Sequence, residues 1–216
     1  MIESIIETFP DLLNFVGKIT MTKAQFNRND VIKQSTQLFW KNGYHGSSMQ
    51  QIFDATGLKP GSIYLAFGNK EGLFKESIQC YGTNSLESIQ QTLQKSPSIG
   101  LGVISILDKM LLESENSDYC SCFLIKSQLE LSQDATQLNQ TIKEQLLQIE
   151  KTYGQFIAQA YGYDKQQIYA TQLMLQIFGI RVYGYLEKST VALRQALPMS
   201  LPWLPWNEAK GGGWAN

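Results

Sequence analysis

From about Asp30 onward, apolar residues recur every three to four positions, the period of an amphipathic helix. Gln, Leu, Lys and Glu fill the long segments, and no Asn-Gly pair separates two alternating apolar runs. The pattern predicts an all-α chain. A first helix runs from about Asp30 to Asn42, with Val31, Ser35, Leu38 and Phe39 on one stripe, Asn29 or Asp30 as its cap and Gly43 as its stop. A second runs from about Ser48 to Thr56. It opens on a Ser-x-x-Gln capping box, "SMQQ" or the overlapping "SSMQ", turns Met49, Ile52 and Phe53 inward, and stops at Gly57. The stretch "GLKPGSIYLAFGNKE" then holds barely two helical turns between Gly61 and Gly68, too few to be stable alone. A long helix capped by Asn69 reaches about Gln94.

Beyond Pro97, amphipathic segments cover about Ile99 to Glu115, "CSCFLIKSQLELS", about Ala135 to Tyr161, Lys165 to Glu187, and Thr190 to Leu197. The final stretch "LPMSLPWLPWNEAKGGGWAN" is expected not to continue a helix. It reads as a strap lying on a surface or as a disordered end. Residues 1–22 read as an N-terminal extension, disordered or a short helix. The organisation expected is a head at 23–75, a larger helical domain at 76–198, and a Pro-, Trp- and Gly-rich tail at 199–216.

The short third helix has a use if the second helix, the turn at Gly57 and the third form a helix-turn-helix. There the second helix of the pair is held by its neighbours and needs only two turns to enter a major groove. Pro60 is tolerated in a first turn, where its missing N–H costs no hydrogen bond. Gly61 keeps the leading edge thin. Ile63 and Phe67 face inward and leave Ser62, Tyr64, Leu65 and Ala66 partly outward.

Charge adds modestly to this. The chain of 216 residues has net charge −1. Residues 21–81 hold seven Lys or Arg against four acids, a local excess of +3, while the two flanking segments are each −2. A polyanionic partner is therefore permitted at the head and discouraged elsewhere. Three cysteines, Cys80, Cys120 and Cys122, and a single histidine, His45, fit neither a disulfide framework nor a metal site. No cofactor is expected. Without a nucleophile–base pair or a phosphate loop, enzymatic chemistry is not expected either. No apolar run has membrane-spanning length. The N-terminus lacks the features of a signal peptide, so a cytoplasmic location with free thiols is expected.

The stretch "DVIKQSTQLFWKNGYHGSSMQQIFDATGLKPGSIYLAFGNKEGLFKESIQCY" resembles the DNA-binding domain of TetR-type transcriptional regulators over about residues 27–81. Leu38-Phe39, Gly43-Tyr44, Ser47-Ser48, Ile52, Ala55, Gly57, Gly61 to Tyr64, Phe67, Asn69 to Glu71 and Leu73-Phe74 carry the resemblance. It implies an N-terminal three-helix helix-turn-helix domain followed by a helical domain that binds an effector and forms a homodimer. It further implies that Ser47 or Ser48 touches a DNA phosphate, that Tyr64 reaches one through its hydroxyl and Lys70 through its charge. Lys59, Pro60, Gly61, Ser62, Leu65 and Ala66 would then lie along the groove. Lys59 stands where a Ser or Thr cap is common; lysine caps poorly but can read guanine or phosphate. Leu65 and Ala66 suggest apolar contacts, for instance to thymine methyl groups.

In the second domain the expectations are broader. An effector cavity is expected to use Cys120, Cys122, Phe123, Tyr153, Phe156 and Phe178. A dimer helix is expected to present Met174, Ile177, Ile180, Arg181 and Gly184, because glycines permit close helix approach. A palindromic operator pairs half-sites through two-fold symmetry. The reading at this stage is a dimeric repressor released from duplex operator DNA by a small hydrophobic effector. The alternative is the same scaffold triggered by oxidant or electrophile at Cys120 or Cys122. The pair is expected on a helix, where i and i+2 point apart, with Lys126 the nearest cation, four residues from Cys122.

Overall fold

A computed structural model describes residues 26–116, 118–133, 137–186 and 190–209. The expected N-terminal extension, the Gly-rich end of the tail, and the expected helix margins at 135–136 and 187 lie outside the described residues. Within them every regular element is helical. The elements are α1 (Arg28–Asn42), α2 (Met49–Thr56), α3 (Pro60–Phe67), α4 (Lys70–Lys95), α5 (Ile99–Ser114), α6 (Phe123–Leu131), α7 (Gln137–Tyr161), α8 (Gln166–Tyr183) and α9 (Val191–Ser200). Short 3-10 turns lie at Tyr163–Lys165 and Trp206–Glu208.

The local signals act largely as the sequence suggests. α1 begins two residues earlier than expected, because Asn27 rather than Asn29 or Asp30 accepts the first-turn amide, that of Asn29. Ser48 and Gln51 form the reciprocal capping box of α2, and Gly57 ends that helix in the left-handed region. Asn69 caps α4 through the amide of Gly72. α4 is unbroken across the expected 75/76 boundary, so one rigid element serves both halves of the chain.

One buried core runs through head and body. Phe39 of α1 packs edge-on against Phe74 of α4 at 4.9 Å between centroids. Phe74 meets Phe123 of α6 at 5.6 Å, and Phe123 meets Tyr81 of α4 at 5.6 Å. Tyr81 meets Trp40 of α1 at 5.2 Å. These rings form a connected cluster at the junction of head and body. Edge-to-face pairs of this kind add about 0.5–1.5 kcal/mol each beyond area burial.

Two expectations fail, and one alternative is decided. α9 does not stop before Pro198 but continues to Ser200. The proline removes one amide donor, yet the helix closes through Leu201 N donating to Leu197 O at 2.9 Å, with both leucines buried. Of the two readings of the tail, the strap applies as far as residue 209. Trp203 stacks flat on Tyr169 at 4.5 Å and donates to Gln172, while Leu201 and Leu204 are buried. Lastly, Cys120 and Cys122 do not lie on a helix; α6 begins at Phe123 and the two cysteines sit in the non-helical strand leading into it.

Candidate functional site

The head presents α3 outward from a base of α1, α2 and α4. Ile63 and Phe67 are buried and anchor it. Tyr64 is 46% exposed and Leu65 73% exposed, with the Tyr64 ring edge-on to Phe53 of α2. Lys59 occupies the N-cap position without a side-chain cap bond, and Pro60 follows at N1. Lys59, Pro60 and Gly61 are exposed and Ser62 half-buried, so they form one continuous leading edge. A Cβ built on Gly61 would meet no protein atom within 4 Å. Packing therefore does not explain that glycine.

Two expected phosphate contacts sit differently. Ser47 is 2% exposed and its hydroxyl donates to Gly43 O at 2.6 Å, which turns it into the head. Ser48 is the exposed member of the pair; its oxygen accepts from Gln51 N and its own O–H remains to donate outward. The Lys70 ammonium donates to Tyr44 O and Ser47 O, both at 3.0 Å, and lies 4.4 Å from the centre of the Tyr44 ring. Lys70 is first a tether between α4 and the α1–α2 loop. At most one of its three N–H donors is left for a phosphate. Ala66 is half-buried, and its carbonyl is taken by Arg28.

Arg28 itself gave no signal in the sequence. It donates to Ala66 O at 2.9 Å, pairs with Glu76 through two nitrogens, and stands 4.2 Å over the Phe67 ring. It locks the end of α3 to α1 and α4 at once. Glu130 of α6 is the other unforeseen residue. Its carboxylate accepts from Tyr44 N at 3.0 Å and His45 N at 2.8 Å, so the body grips the α1–α2 loop of the head.

Behind this grip the body contains a cavity of about 900 Å³. α4 contributes one face, including Tyr81, Ser85, Ser88 and Thr92. α5, α7 and α8 add Ile106, Met110, Ile149, Tyr153, Met174, Ile177 and Arg181, and the strand before α6 adds Cys120 and Cys122. Of the expected effector residues, Cys120, Cys122 and Tyr153 line it. Phe123 does not: it is buried in the junction cluster. Phe156 borders a separate groove with Gln90, Gln94, Gln155 and Gln159. Phe178 packs half-buried on the core. Aromatics at helical spacing mark buried faces, not which buried face encloses space.

The expected dimer residues are inside the protomer. Met174 and Ile177 face the cavity, Ile180 is in the core, and Gly184 is buried against Ser114 and Tyr119. Arg181 pairs with Glu113 at 2.7 Å. Burial works against its charge, but the Glu113 hydrogen bond and charge outweigh that and raise its pKa. The other face of α8 is exposed and apolar: Ile168, Leu175 and Val182, with Gly179 open among them and exposed Leu186 in the turn just beyond the helix. The face of α8 left exposed is thus the one opposite the expected residues.

Cavity and head meet at Trp40, in the last turn of α1. Trp40 Nε1 donates to Ser121 O. Trp40 O accepts from Lys126 Nζ at 2.7 Å and from Cys120 Sγ at 3.3 Å, and Lys126 Nζ lies 3.3 Å from Cys120 Sγ. The cation that meets a thiol is thus Lys126, as expected, but the thiol is Cys120 and not Cys122.

Residues 31–77 match the family described as bacterial regulatory proteins, tetR family. The repressor ComR of Escherichia coli (strain K12) is 28% identical over 137 residues, 62% of this chain and 65% of that protein. The fatty acid metabolism regulator protein of Bacillus subtilis (strain 168) is 32% identical over 118 residues, 53% of this chain and 57% of that protein. The matches thus span between about half and two thirds of these curated relatives. A cysteine-substituted CifR, a TetR family transcriptional regulator complexed with 26-base-pair operator DNA, shares the fold with a TM-score of 0.69 at 20% identity, covering 84% of this chain and 98% of that one. Among the described residues no helix is long and apolar enough to cross a membrane. The head, residues 31–77, thus matches the tetR family in sequence, and the two-part helical architecture is one this chain shares with solved TetR family regulators.

Proposed function

We propose that the chain is a dimeric transcriptional repressor that binds a palindromic operator through α3 and is released by a small, mostly apolar effector in the body cavity. The observation that carries this reading is the continuity of α4. Its first turns hold the head through Lys70 and Glu76, and its later turns, from Tyr81 to Thr92, form a wall of the cavity. A ligand that shifts this wall changes the set of the reading heads and weakens DNA binding by linkage. On the DNA side, Ser48, Lys59 and Tyr64 are assigned to the backbone and groove edge. Gly61 is assigned to close approach, and Leu65 to an apolar contact in the groove. Lys70 positions the loop and adds one donor.

The homodimer is assigned to the exposed stripe of α8. Ile168, Leu175 and Val182 repeat every seven residues, and Gly179 and Leu186 fall four beyond Leu175 and Val182. That is the two-position seam of helices crossing at a shallow angle. Val191 and Met199 on α9 are exposed as well. An exposed apolar stripe along one helix of this kind fits an interface. Leu175→Glu is expected to convert the dimer to a folded monomer in sedimentation; a dimer that survives the charge moves the interface elsewhere.

A second reading keeps the scaffold and changes the trigger. Cys120 and Cys122 both line the cavity, and Cys120 shares Trp40 O with Lys126. An electrophile or oxidant that modified Cys120 would break a contact with the head directly. If N-ethylmaleimide releases DNA from the wild type but not from Cys120→Ser, this reading replaces the first; equal release from wild type and both serine variants, or none, removes it.

The primary test is selection from a pool of random duplexes at two salt concentrations. The expected result is an enriched palindrome with half-sites about one helical turn apart and an affinity that falls steeply with salt. Gly61→Ala adds about 1 kcal/mol of helix propensity, so its melting temperature should stay level or rise by about 2–4 °C. Its operator affinity should fall by about ten-fold or more through the added methyl group at the leading edge. Undiminished affinity would show that α3 does not approach DNA by that edge.

A further inference from the structure

We infer that the cavity takes a neutral molecule carrying a hydrogen-bond-accepting oxygen, such as a ketone, ester, amide or quinone, held at that oxygen by Tyr153 and Arg181. This rests on the reading of the cavity as the effector site and names the chemistry of its ligand.

Two side chains in the cavity wall each keep a polar atom buried and without a protein partner: Tyr153 at its hydroxyl and Arg181 at Nε. Tyr153 is 1% exposed, so water outside the protein does not satisfy it. Burial raises its pKa, against a smaller lowering by the nearby Arg181 charge, and so keeps the phenol protonated as a donor. Arg181 Nε carries a hydrogen and no lone pair to offer, so it too can only donate. An unmade buried hydrogen bond is costly, and two donors in one wall call for an acceptor.

The charge balance of the wall separates a neutral acceptor from an anion. Arg181 is already paired with Glu113 at 2.7 Å. The charged residues of the lining are Lys109, Glu113, Asp118 and Arg181, which sum to zero. A carboxylate would lose its hydration without meeting a net positive charge, and burying an uncompensated charge is expensive. The rest of the enclosure is largely apolar, from Ile89, Ile106, Met110, Ile149 and Ile177 among others. It suits a hydrocarbon body on the carbonyl.

Three ten-carbon probes of similar size separate the possibilities: butyrophenone, n-butylbenzene and 4-phenylbutyrate. They would be titrated into the full-length wild type and into Tyr153→Phe, followed by calorimetry. Tyr153→Phe keeps the ring and removes only the unpartnered hydroxyl, so it should fold with an unchanged or higher melting temperature. The wild type should bind butyrophenone about ten-fold tighter than either other probe. Tyr153→Phe should weaken butyrophenone about five- to ten-fold and leave n-butylbenzene unchanged, as expected for one hydrogen bond. The inference is overturned if n-butylbenzene binds as tightly as butyrophenone, if 4-phenylbutyrate binds best, or if Tyr153→Phe binds butyrophenone like the wild type. In the last case a trapped water satisfies the donors. If none of the three binds, the cavity is not an effector site, and the underlying reading fails with the inference.

Discussion

The structure depends on a single junction, where the end of α1 is gripped by the segment that also walls the cavity. Trp40 O takes hydrogen bonds from Lys126 and Cys120, Trp40 Nε1 reaches Ser121 O, and the Glu130 carboxylate accepts both Tyr44 N and His45 N. Beneath these polar contacts the rings of Phe39, Phe74, Phe123, Tyr81 and Trp40 form one buried cluster. A head held this way cannot turn independently of the cavity wall. Either the polar contacts or the ring packing must rearrange, and packed interfaces of this kind change between discrete arrangements.

From the junction, two routes lead to α3. Along α4, Glu76 is joined to Arg28, which also holds Ala66 O at the end of α3. Along α6, Lys126 and Glu130 hold α1 and the loop that leads into α2. Glu76 and Ser88 are about 18 Å apart along α4 at 1.5 Å per residue. The cavity wall and the head thus share a single uninterrupted helix. The α3 helix makes few demands of its own in return: two buried side chains and one borrowed arginine fix it, and its outer edge is left free.

The sequence was readable wherever the controlling interaction is local. Capping by Ser48, Gln51 and Asn69, the stop at Gly57, and the inward pair Ile63 and Phe67 lie within four residues of their partners, so periodicity and end signals place them. The ordered resemblance of the head to TetR-type regulators rests on the same short span, and the family match at residues 31–77 falls within it. What escaped is long-range. Arg28 and Glu76 are 48 residues apart, Trp40 and Lys126 are 86 apart, and Glu130 finds its loop across 85 and 86 positions. Charge and polarity at such separations leave no periodic trace. The misplaced face of α8 has a similar cause. That helix carries apolar residues on both faces, so the pattern alone does not say which face its own protomer buries. Ser47 and Ser48 are adjacent and alike in chemistry, and only the backbone direction at the start of α2 sends one inward and the other out.

The most direct test of the junction is the operator affinity of Glu130→Ala beside that of the wild type, with the folded state of both checked by circular dichroism and thermal melting. Removing the carboxylate deletes its two hydrogen bonds from Tyr44 N and His45 N while leaving the ring cluster in place. The account predicts a variant that melts within a few degrees of the wild type and binds operator about ten-fold more weakly, a change of ~1.4 kcal/mol. A variant that is equally well folded and binds operator with wild-type affinity would contradict it. The head would then be set by α4 alone.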